Sequence, residues 1–292
     1  MASGAVGVLG ATSLVGRCLL TQAEETGLKV IAFTRQNDNR TLSPFIEWRH
    51  PPALSTGDTI FDHPVKYWIC LAPIWVLGEY FHAIEASGAK RVVALSSTSR
   101  FTKLDSDNKS ENETVQRLIE GESALEHWAK DRGIEWVILR PTMIYGLGID
   151  KNVSEIARFI RRFRFFPLFG KANGMRQPIH ACDVASVCIS AVTATHAVNR
   201  SYNISGGETL AYRDLVARIF VALEHHVMMP TVPLWAFRIT ATILRTLPRY
   251  RQWSVNMAER MNRDLVFDHA DATRDLGFQP RAFSISKEDL PG

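Results

Sequence analysis

The chain has 292 residues, 46% of them hydrophobic and 22% charged, with a formal net charge of +4. That length permits one large domain or two smaller ones around a substantial core, with the composition of a soluble globular protein. So small a positive excess argues against a nucleic-acid partner.

Four scattered cysteines (Cys18, Cys70, Cys182, Cys188) lack C-x-x-C or metal spacing and read as reduced thiols of a cytoplasmic protein. No basic n-region followed by a long apolar run marks a signal peptide. No stretch of about 18 residues is free of charge, so a spanning helix is not expected.

In chain order, Val6, Val8 and Leu9 predict a strand over 5–9 that runs into Gly10, and Gly16 opens an amphipathic helix over 14–25. A strand, a tight turn and a helix start are the setting in which a glycine-rich loop binds a dinucleotide. The loop reads Gly10-Ala-Thr-Ser-Leu-Val-Gly16, with Thr12 and Ser13 in the turn and Leu14 and Val15 at the helix start. Gly10 permits the sharp turn, and Gly16 lets the helix pack close to the strand. The N–H groups of the helix start, with the positive end of its dipole, hold a pyrophosphate. Ser13 stands where a middle glycine is expected.

Further strands are predicted over 29–34, 67–72, 91–96 and 136–140, and helices over 75–86 and 114–130. This alternation implies an α/β fold, a Rossmann-like doubly wound parallel sheet with right-handed crossovers. The run Val92-Val-Ala-Leu95 suits a strand buried on both faces. After Gly146, Asn152 and Glu155 resemble a capping box, and Pro167, Gly170 and Gly174 break regular structure. Asp183 is expected to cap a helix over 184–192, followed by a short strand over 202–205. The expected division is a dinucleotide-binding part over 1–150, with later contributions from about 178–206. Residues 151–177 and 207–292 then form a smaller, mainly helical C-terminal substrate region.

Five segments carry a resemblance in the right order: Gly10–Gly16, Leu95-Ser-Ser-Thr98, Leu139-Arg-Pro-Thr-Met-Ile-Tyr-Gly146, Arg176-Gln-Pro-Ile-His-Ala-Cys-Asp183 and Leu276-Gly-Phe-Gln-Pro280. Tyr202-Asn-Ile-Ser-Gly-Gly207 adds a sixth. The chain resembles the extended short-chain dehydrogenase/reductases, the group of NAD-dependent nucleotide-sugar epimerases and dehydratases. The resemblance implies that Gly10 to Val15 cradle the pyrophosphate and that Leu71, Ala72 and Pro73 border the adenine-side ribose. It implies that Pro141 to Ile144 lie beside the nicotinamide. Arg176 matches an arginine that many members use on a substrate diphosphate, the alternative being a surface ion pair. By the same resemblance Tyr145 belongs to a motif that holds the fold. His180 reads as a turn histidine.

The end of the second strand sets the cofactor. An acid there would bind the ribose 2′-hydroxyl of NAD, whereas an arginine accommodates the 2′-phosphate of NADP. The strand ends Ala32-Phe-Thr-Arg35, with no acid until Asp38 and with Arg17 available as a second positive charge, so NADP is preferred over NAD.

The family's catalytic group is a serine or threonine, a tyrosine and a lysine four residues on, the lysine lowering the tyrosine pKa. Thr98 matches the first, with Ser97 beside it. The six tyrosines (Tyr67, Tyr80, Tyr145, Tyr202, Tyr212, Tyr250) are followed four residues later by Leu, Ile, Ile, Gly, Val and Ser, so no Tyr-x-x-x-Lys exists. If Glu122 matches the family's glutamate after the lysine, Thr114 and Leu118 replace the pair. Lys103, Glu113 and Arg117 lie nearby and read as solvated surface charges.

Arg158-Phe-Ile-Arg-Arg-Phe-Arg-Phe-Phe166 mixes basic and aromatic residues and reads as an amphipathic helix beside the substrate site rather than a nucleic-acid patch. A stripe at Leu234, Phe237, Ala241 and Leu244, with Arg238 and Arg245 set off from it, packs on a core or on a partner subunit, as in a homodimer. The alternative is a membrane-surface helix over 233–247. The sequence reading is thus an NAD(P)-binding oxidoreductase or epimerase acting on a nucleotide sugar or other hydroxylated substrate. Its rival is a non-catalytic dinucleotide sensor or structural subunit.

Overall fold

The structure, a computed structural model, describes residues 4–35, 43–50, 63–102, 109–233 and 259–292. In chain order the elements are β1 (Val6–Leu9), α1 (Leu14–Thr26), β2 (Val30–Phe33), β3 (Ile46–Arg49) and β4 (Tyr67–Cys70). A 3₁₀ turn (Ile74–Tyr80) then leads into α2 (Phe81–Ala86), β5 (Arg91–Leu95), α3 (Ser99–Thr102), α4 (Lys109–Arg132), β6 (Glu135–Pro141) and β7 (Ile144–Tyr145). Next come α5 (Val153–Phe163), β8 (Leu168–Phe169), β9 (Met175–Arg176), β10 (Ile179–His180), α6 (Ala181–Thr193) and β11 (Arg200–Ile204). The last are β12 (Leu210–Ala211), α7 (Tyr212–Ala222), β13 (Thr231–Val232) and α8 (Ala270–Leu276).

Seven strands form one sheet in the order β11-β6-β5-β4-β1-β2-β3, every adjacent pair parallel. Strands 1 to 3 wind outward in one direction, and β4, β5, β6 and β11 in the other, so the order reverses between β1 and β4. This is the doubly wound α/β arrangement expected of the alternating sequence. The β1, β2 and β5 strands are buried at every residue, which is why they read as apolar runs. The β3 strand carries no apolar run: it is a half-exposed edge strand of mixed polarity, Ile-Glu-Trp-Arg.

Two cores flank the sheet. One joins α1 and α6 to the sheet through Val15, Leu19, Val184, Val187 and Ala191. The other joins the 3₁₀ turn, α2 and α4 to it through Trp68, Ile74, Leu77, Leu118 and Leu125. Each large apolar side chain so buried contributes about 1.5–3 kcal/mol. Trp68 stacks on Phe33 at 5.3 Å, and its indole N–H donates to the Val65 carbonyl at 3.0 Å. Arg91 closes the C-terminal end of α6, donating to the carbonyls of Ala191, Val192 and Ala194 at 2.8–3.1 Å. A cation is well placed there against the negative end of the helix dipole.

A third core lies outside the sheet, where α5, α7, Phe166, Leu168, Met261 and Phe283 meet Tyr145. Three two-stranded ribbons (β7–β10, β9–β12, β8–β13) knit the chain here. The helix over 153–163 starts differently from the expected capping box: Asp150, buried, accepts the N–H groups of Asn152 at 2.8 Å and Ser154 at 3.1 Å. The caps at α6 are also redistributed. His180 is the N-cap, its Nδ1 accepting the Cys182 N–H at 3.1 Å, while Asp183 instead holds Arg281 through its N–H at 3.0 Å and its guanidinium at 2.9 Å.

Candidate functional site

Because the seven strands are parallel, all their C-terminal ends open on one edge of the sheet. In open α/β sheets ligands bind there, at the point where the strand order reverses. In this chain that point lies between Leu9–Gly10 and Cys70–Leu71. Gly10 has φ +79°, and a Cβ on it would lie 2.5 Å from the Ala72 backbone N. A Cβ on Gly16 would lie 2.4 Å from the Ala11 carbonyl oxygen. Both glycines are therefore fixed by backbone contact. Ser13 is the N-cap of α1, its hydroxyl accepting the Gly16 N–H at 3.1 Å, which accounts for a serine at the middle position of the loop. The N–H groups of Leu14 and Val15, at the first two helical positions, have no acceptor within the helix. Thr12 is exposed at the mouth of this turn, and Arg17 is exposed one turn along α1.

Arg35 is exposed just beyond β2, close enough to Tyr80 for its charge to act on the phenol. Leu71, Ala72 and Pro73 follow β4 and grade from buried to exposed. Asp38 lies outside the described residues.

At the end of β5, Thr98 is buried, and both its N–H and its hydroxyl donate to the Pro141 carbonyl at 3.1 Å. Ser97 is half-buried, its hydroxyl accepting the Ser99 N–H at 3.1 Å. Thr98 and Pro141 thus meet where β5 and β6 leave the sheet, and Ile144 follows in β7, paired with Ile179. No proton shuttle stands at the positions expected for tyrosine and lysine. Thr114 turns its hydroxyl back to the Ser110 carbonyl at 2.8 Å, and Leu118 is packed into the core. Glu113 and Arg117 are exposed, and Lys103 lies outside the described residues.

Beneath this edge lies a charged cluster that the sequence motifs did not announce. Glu122 is 1% exposed and accepts from Ser96, Arg140 and Arg100. Both arginines lie over the Phe101 ring, at 5.2 and 5.4 Å. Burial lowers both guanidinium pKa values from their ordinary range, and for Arg100 the neighbouring Arg140 lowers it further. Asn203, level with Arg140 on the adjacent β11, carries a buried Oδ1 with no hydrogen-bond partner among the described residues.

In β9, away from the central sheet, Arg176 is buried, which excludes a surface ion pair. Its Nη1 donates to the carbonyls of Met175 and Arg263, both at 2.7 Å, its Nη2 donates to Arg260, and its guanidinium covers the Tyr212 ring at 5.5 Å. Arg260 in turn pairs with Glu111 in the first turn of α4, tying the segment around Arg176 to that helix. Tyr145 is fully buried and donates its hydroxyl to the Ser284 carbonyl at 3.0 Å, so it holds the chain's last residues in place. Phe159 in α5 contacts Phe163, Phe165 and Phe166, as an amphipathic helix with an aromatic end requires. The stripe from Leu234 to Arg245 lies outside the described residues. Among the described residues there is no group of three metal-ligating side chains, and no helix is long and apolar enough to cross a membrane.

Residues 79–205 match the NAD dependent epimerase/dehydratase family. The UDP-glucose 4-epimerase of Vibrio cholerae is 22% identical over 161 residues, 55% of this chain and 47% of that protein. The uncharacterized protein y4nG of Sinorhizobium fredii is 25% identical over 154 residues, 51% of this chain and 37% of that protein. The chain thus covers less than half the length of these curated relatives.

Among solved structures, the UDP-glucose 4-epimerase of Thermotoga maritima superposes with a TM-score of 0.69 at 17% identity, over 98% of this chain and 96% of that one. MoeE5 in complex with UDP-glucose and NAD gives 0.68 at 19% identity, over 96% and 94%. The NAD complex of the Bacillus cereus UDP-glucuronic acid 4-epimerase gives 0.69 at 13%, over 98% and 93%. Residues 79–205 thus match the NAD dependent epimerase/dehydratase family, and the chain as a whole shares the fold of these solved structures.

Proposed function

We propose that the chain binds a nicotinamide dinucleotide along Gly10–Gly16 and takes a nucleotide sugar or similar hydroxylated substrate in the cleft between Thr98 and Arg176. The observation that carries this reading is the glycine cradle at the reversal point of the sheet, where Gly10 and Gly16 have no room for a side chain and a helix start faces outward. The domain relationship to NAD-dependent epimerases supports the substrate class. In this reading residues 1–150 with about 178–206 form the cofactor half, and 151–177 with 207–292 the substrate half. Four free cysteines suit a reducing, cytoplasmic setting.

Each residue then has a defined task. Leu14 and Val15 donate backbone N–H groups to the pyrophosphate, Leu71 to Pro73 border the adenine-side ribose, and Pro141 to Ile144 flank the nicotinamide. Arg35, with Arg17, favours NADP through a 2′-phosphate. A bound nicotinamide supplies hydride acceptance and return. Thr98 orients the reacting substrate oxygen by rotating its hydroxyl away from Pro141. Arg176 contributes positive potential to an anionic group of the substrate. Because the Nη atoms of Arg176 already donate to three carbonyls, the half-buried Arg260 shares that task.

A second reading is favoured by Thr114 and Leu118, neither of which moves a proton at neutral pH: a dinucleotide-binding sensor or structural subunit without turnover. A positioned acid or base contributes about 10²–10⁴ in rate. The deciding experiment measures dinucleotide affinity by calorimetry and NADP(H)- or NAD(H)-linked turnover over a panel of UDP-sugars and simple carbonyls. Binding with turnover of about 1–10³ per second establishes the enzyme, with another group supplying the proton. Binding without turnover establishes the sensor. Absence of dinucleotide binding overturns both.

A further inference from the structure

Helices α1 and α6 lie side by side on one face of the sheet, and each carries a cysteine toward the other. Cys18 stands in the second turn of α1, and Cys182 in the first turn of α6, with Sγ atoms 2.7 Å apart. A disulfide has an S–S distance of about 2.05 Å, so closure asks for a movement of under about 1 Å. The two helices are held in this register from outside the pair. Gln22, one turn beyond Cys18, donates to the Cys182 carbonyl at 2.9 Å and accepts from Ser186 at 3.2 Å.

The surroundings of the two sulfurs are unequal. Cys18 is buried, while Cys182 is half-buried. Cys182 occupies the N-terminal turn of a 13-residue helix, where the dipole favours a thiolate. The hydrogen bond with Cys18, opposed by desolvation, and then the His180 ring and Arg281 hold the Cys182 thiol below the ordinary range. That same bond and burial push Cys18 above it. The other two thiols are inert by comparison: Cys70 is buried and pushed up to about 12, and Cys188 is buried and raised as well.

We propose that Cys18 and Cys182 are a reversible redox modification site, a dithiol that reduces a small disulfide and closes into an internal cross-link between α1 and α6. The Cys182 thiolate attacks one sulfur of the small disulfide, forming a mixed disulfide and releasing one thiolate. The Cys18 thiol passes its proton to that departing thiolate and attacks the Cys182 sulfur, expelling the second thiolate, which takes a proton from water. Two protein thiols are oxidised to one disulfide, and one small disulfide is reduced to two thiols. The link ties the helix that carries the dinucleotide cradle to α6. Cys182 attacks and Cys18 resolves.

The test treats the whole folded chain with oxidised glutathione, quenches with acid, alkylates and maps peptides by mass spectrometry. The expected result is loss of two hydrogens from the intact mass, a Cys18–Cys182 linked peptide, and reversal by dithiothreitol. Cys18→Ser should accumulate a glutathione adduct on Cys182, whereas Cys182→Ser should give neither adduct nor link. Cys18→Ala serves in place of the serine variant if that variant fails to fold, as read by circular dichroism. A folded wild-type protein that forms no link overturns the proposal. So does one linked through Cys70 or Cys188, or a folded Cys18 variant that leaves Cys182 unmodified.

Discussion

Glu122 and Arg140 form a two-pronged ion pair below the C-terminal edge of the sheet: Arg140 Nε lies 3.1 and 3.2 Å from the two carboxylate oxygens, and Nη2 lies 2.6 Å from one of them. The pair ties α4 to β6 directly under the loop that carries Ser97 and Thr98. Removing one partner of such a pair leaves the other charge buried and uncompensated, at a cost of about 3–5 kcal/mol. Arg140 keeps some access to water, which places the expectation for Glu122→Gln at the lower end, about 3 kcal/mol. Urea denaturation should show a lower midpoint with an unchanged slope. An unchanged midpoint would show that the buried arginines do not depend on the Glu122 charge.

The cofactor preference rests on Arg35. In calorimetric titrations of the unmodified chain, NADPH should bind more tightly than NADH, and Arg35→Asp should reverse the order. A charge-assisted contact of about 1.5–3 kcal/mol corresponds to roughly ten- to a hundred-fold in affinity. Equal affinities in the unmodified chain would sink the assignment.

Gly16→Ala probes the cradle. Its Cβ would sit 2.4 Å from the Ala11 carbonyl oxygen, which is backbone and has nowhere to yield, so the loop must shift. The expected outcome is a stability loss of about 1–3 kcal/mol together with loss of measurable dinucleotide binding. Normal affinity in the variant would place the dinucleotide elsewhere.

Thr98→Ala separates chemistry from binding. Dinucleotide affinity should stay within about twofold, and any turnover should fall by at least about tenfold, one transition-state hydrogen bond being worth about 1.4 kcal/mol or more. If affinity falls and turnover does not, Thr98 belongs to the cofactor pocket instead.

Asp289 carries the pH dependence. Burial opposes its charge, but hydrogen bonds from His180 and from the Ser286 N–H and hydroxyl outweigh that, holding the carboxyl well below the usual range. A depressed folded pKa gives stability that is fully present above the unfolded value of about 3.9 and is lost as pH falls through the folded value. Asp289→Asn should therefore destabilise the chain by about 1.5–3 kcal/mol at pH 7. The gap to wild type should narrow once pH drops below about 4. Thermal unfolding across that range checks it, and a constant gap would show that charge is not the cause.

Much of this was legible in the residues. The β1, β2, β4, β5 and β6 strands and the helix after Gly10 were legible because a buried parallel strand is a continuous apolar run between helical repeats. The β3 strand was not, because an edge strand of four residues with one exposed face has no such run. Caps were legible only in part: Asn152 does stand at the N-cap of α5, but the acceptor there is Asp150, and at α6 it is His180 rather than Asp183. The lack of a proton-shuttling pair was readable outright, since spacing alone excludes Tyr-x-x-x-Lys. The Glu122–Arg140–Arg100 cluster was not, because its partners lie 18 and 22 residues away in sequence and follow no local period. One signal was present: a glutamate in the middle of an otherwise apolar helix face, flanked by Leu118 and Leu125, needs a buried cation.

The β11 strand arrives late. Residues 142–199 intervene between β6 and the strand that covers it, so a chain emerging from the ribosome presents Glu135–Pro141 as an open edge until Arg200–Ile204 has been made. An unpaired, largely buried strand is a template for pairing with a neighbouring chain. A fragment cut after residue 150 would keep that template permanently and would lack α6, the helix that covers α1. The break at residue 150, where the cofactor half is interrupted, is therefore no boundary for folding. The nascent chain has to build well past it before its first half can stay clear of other chains.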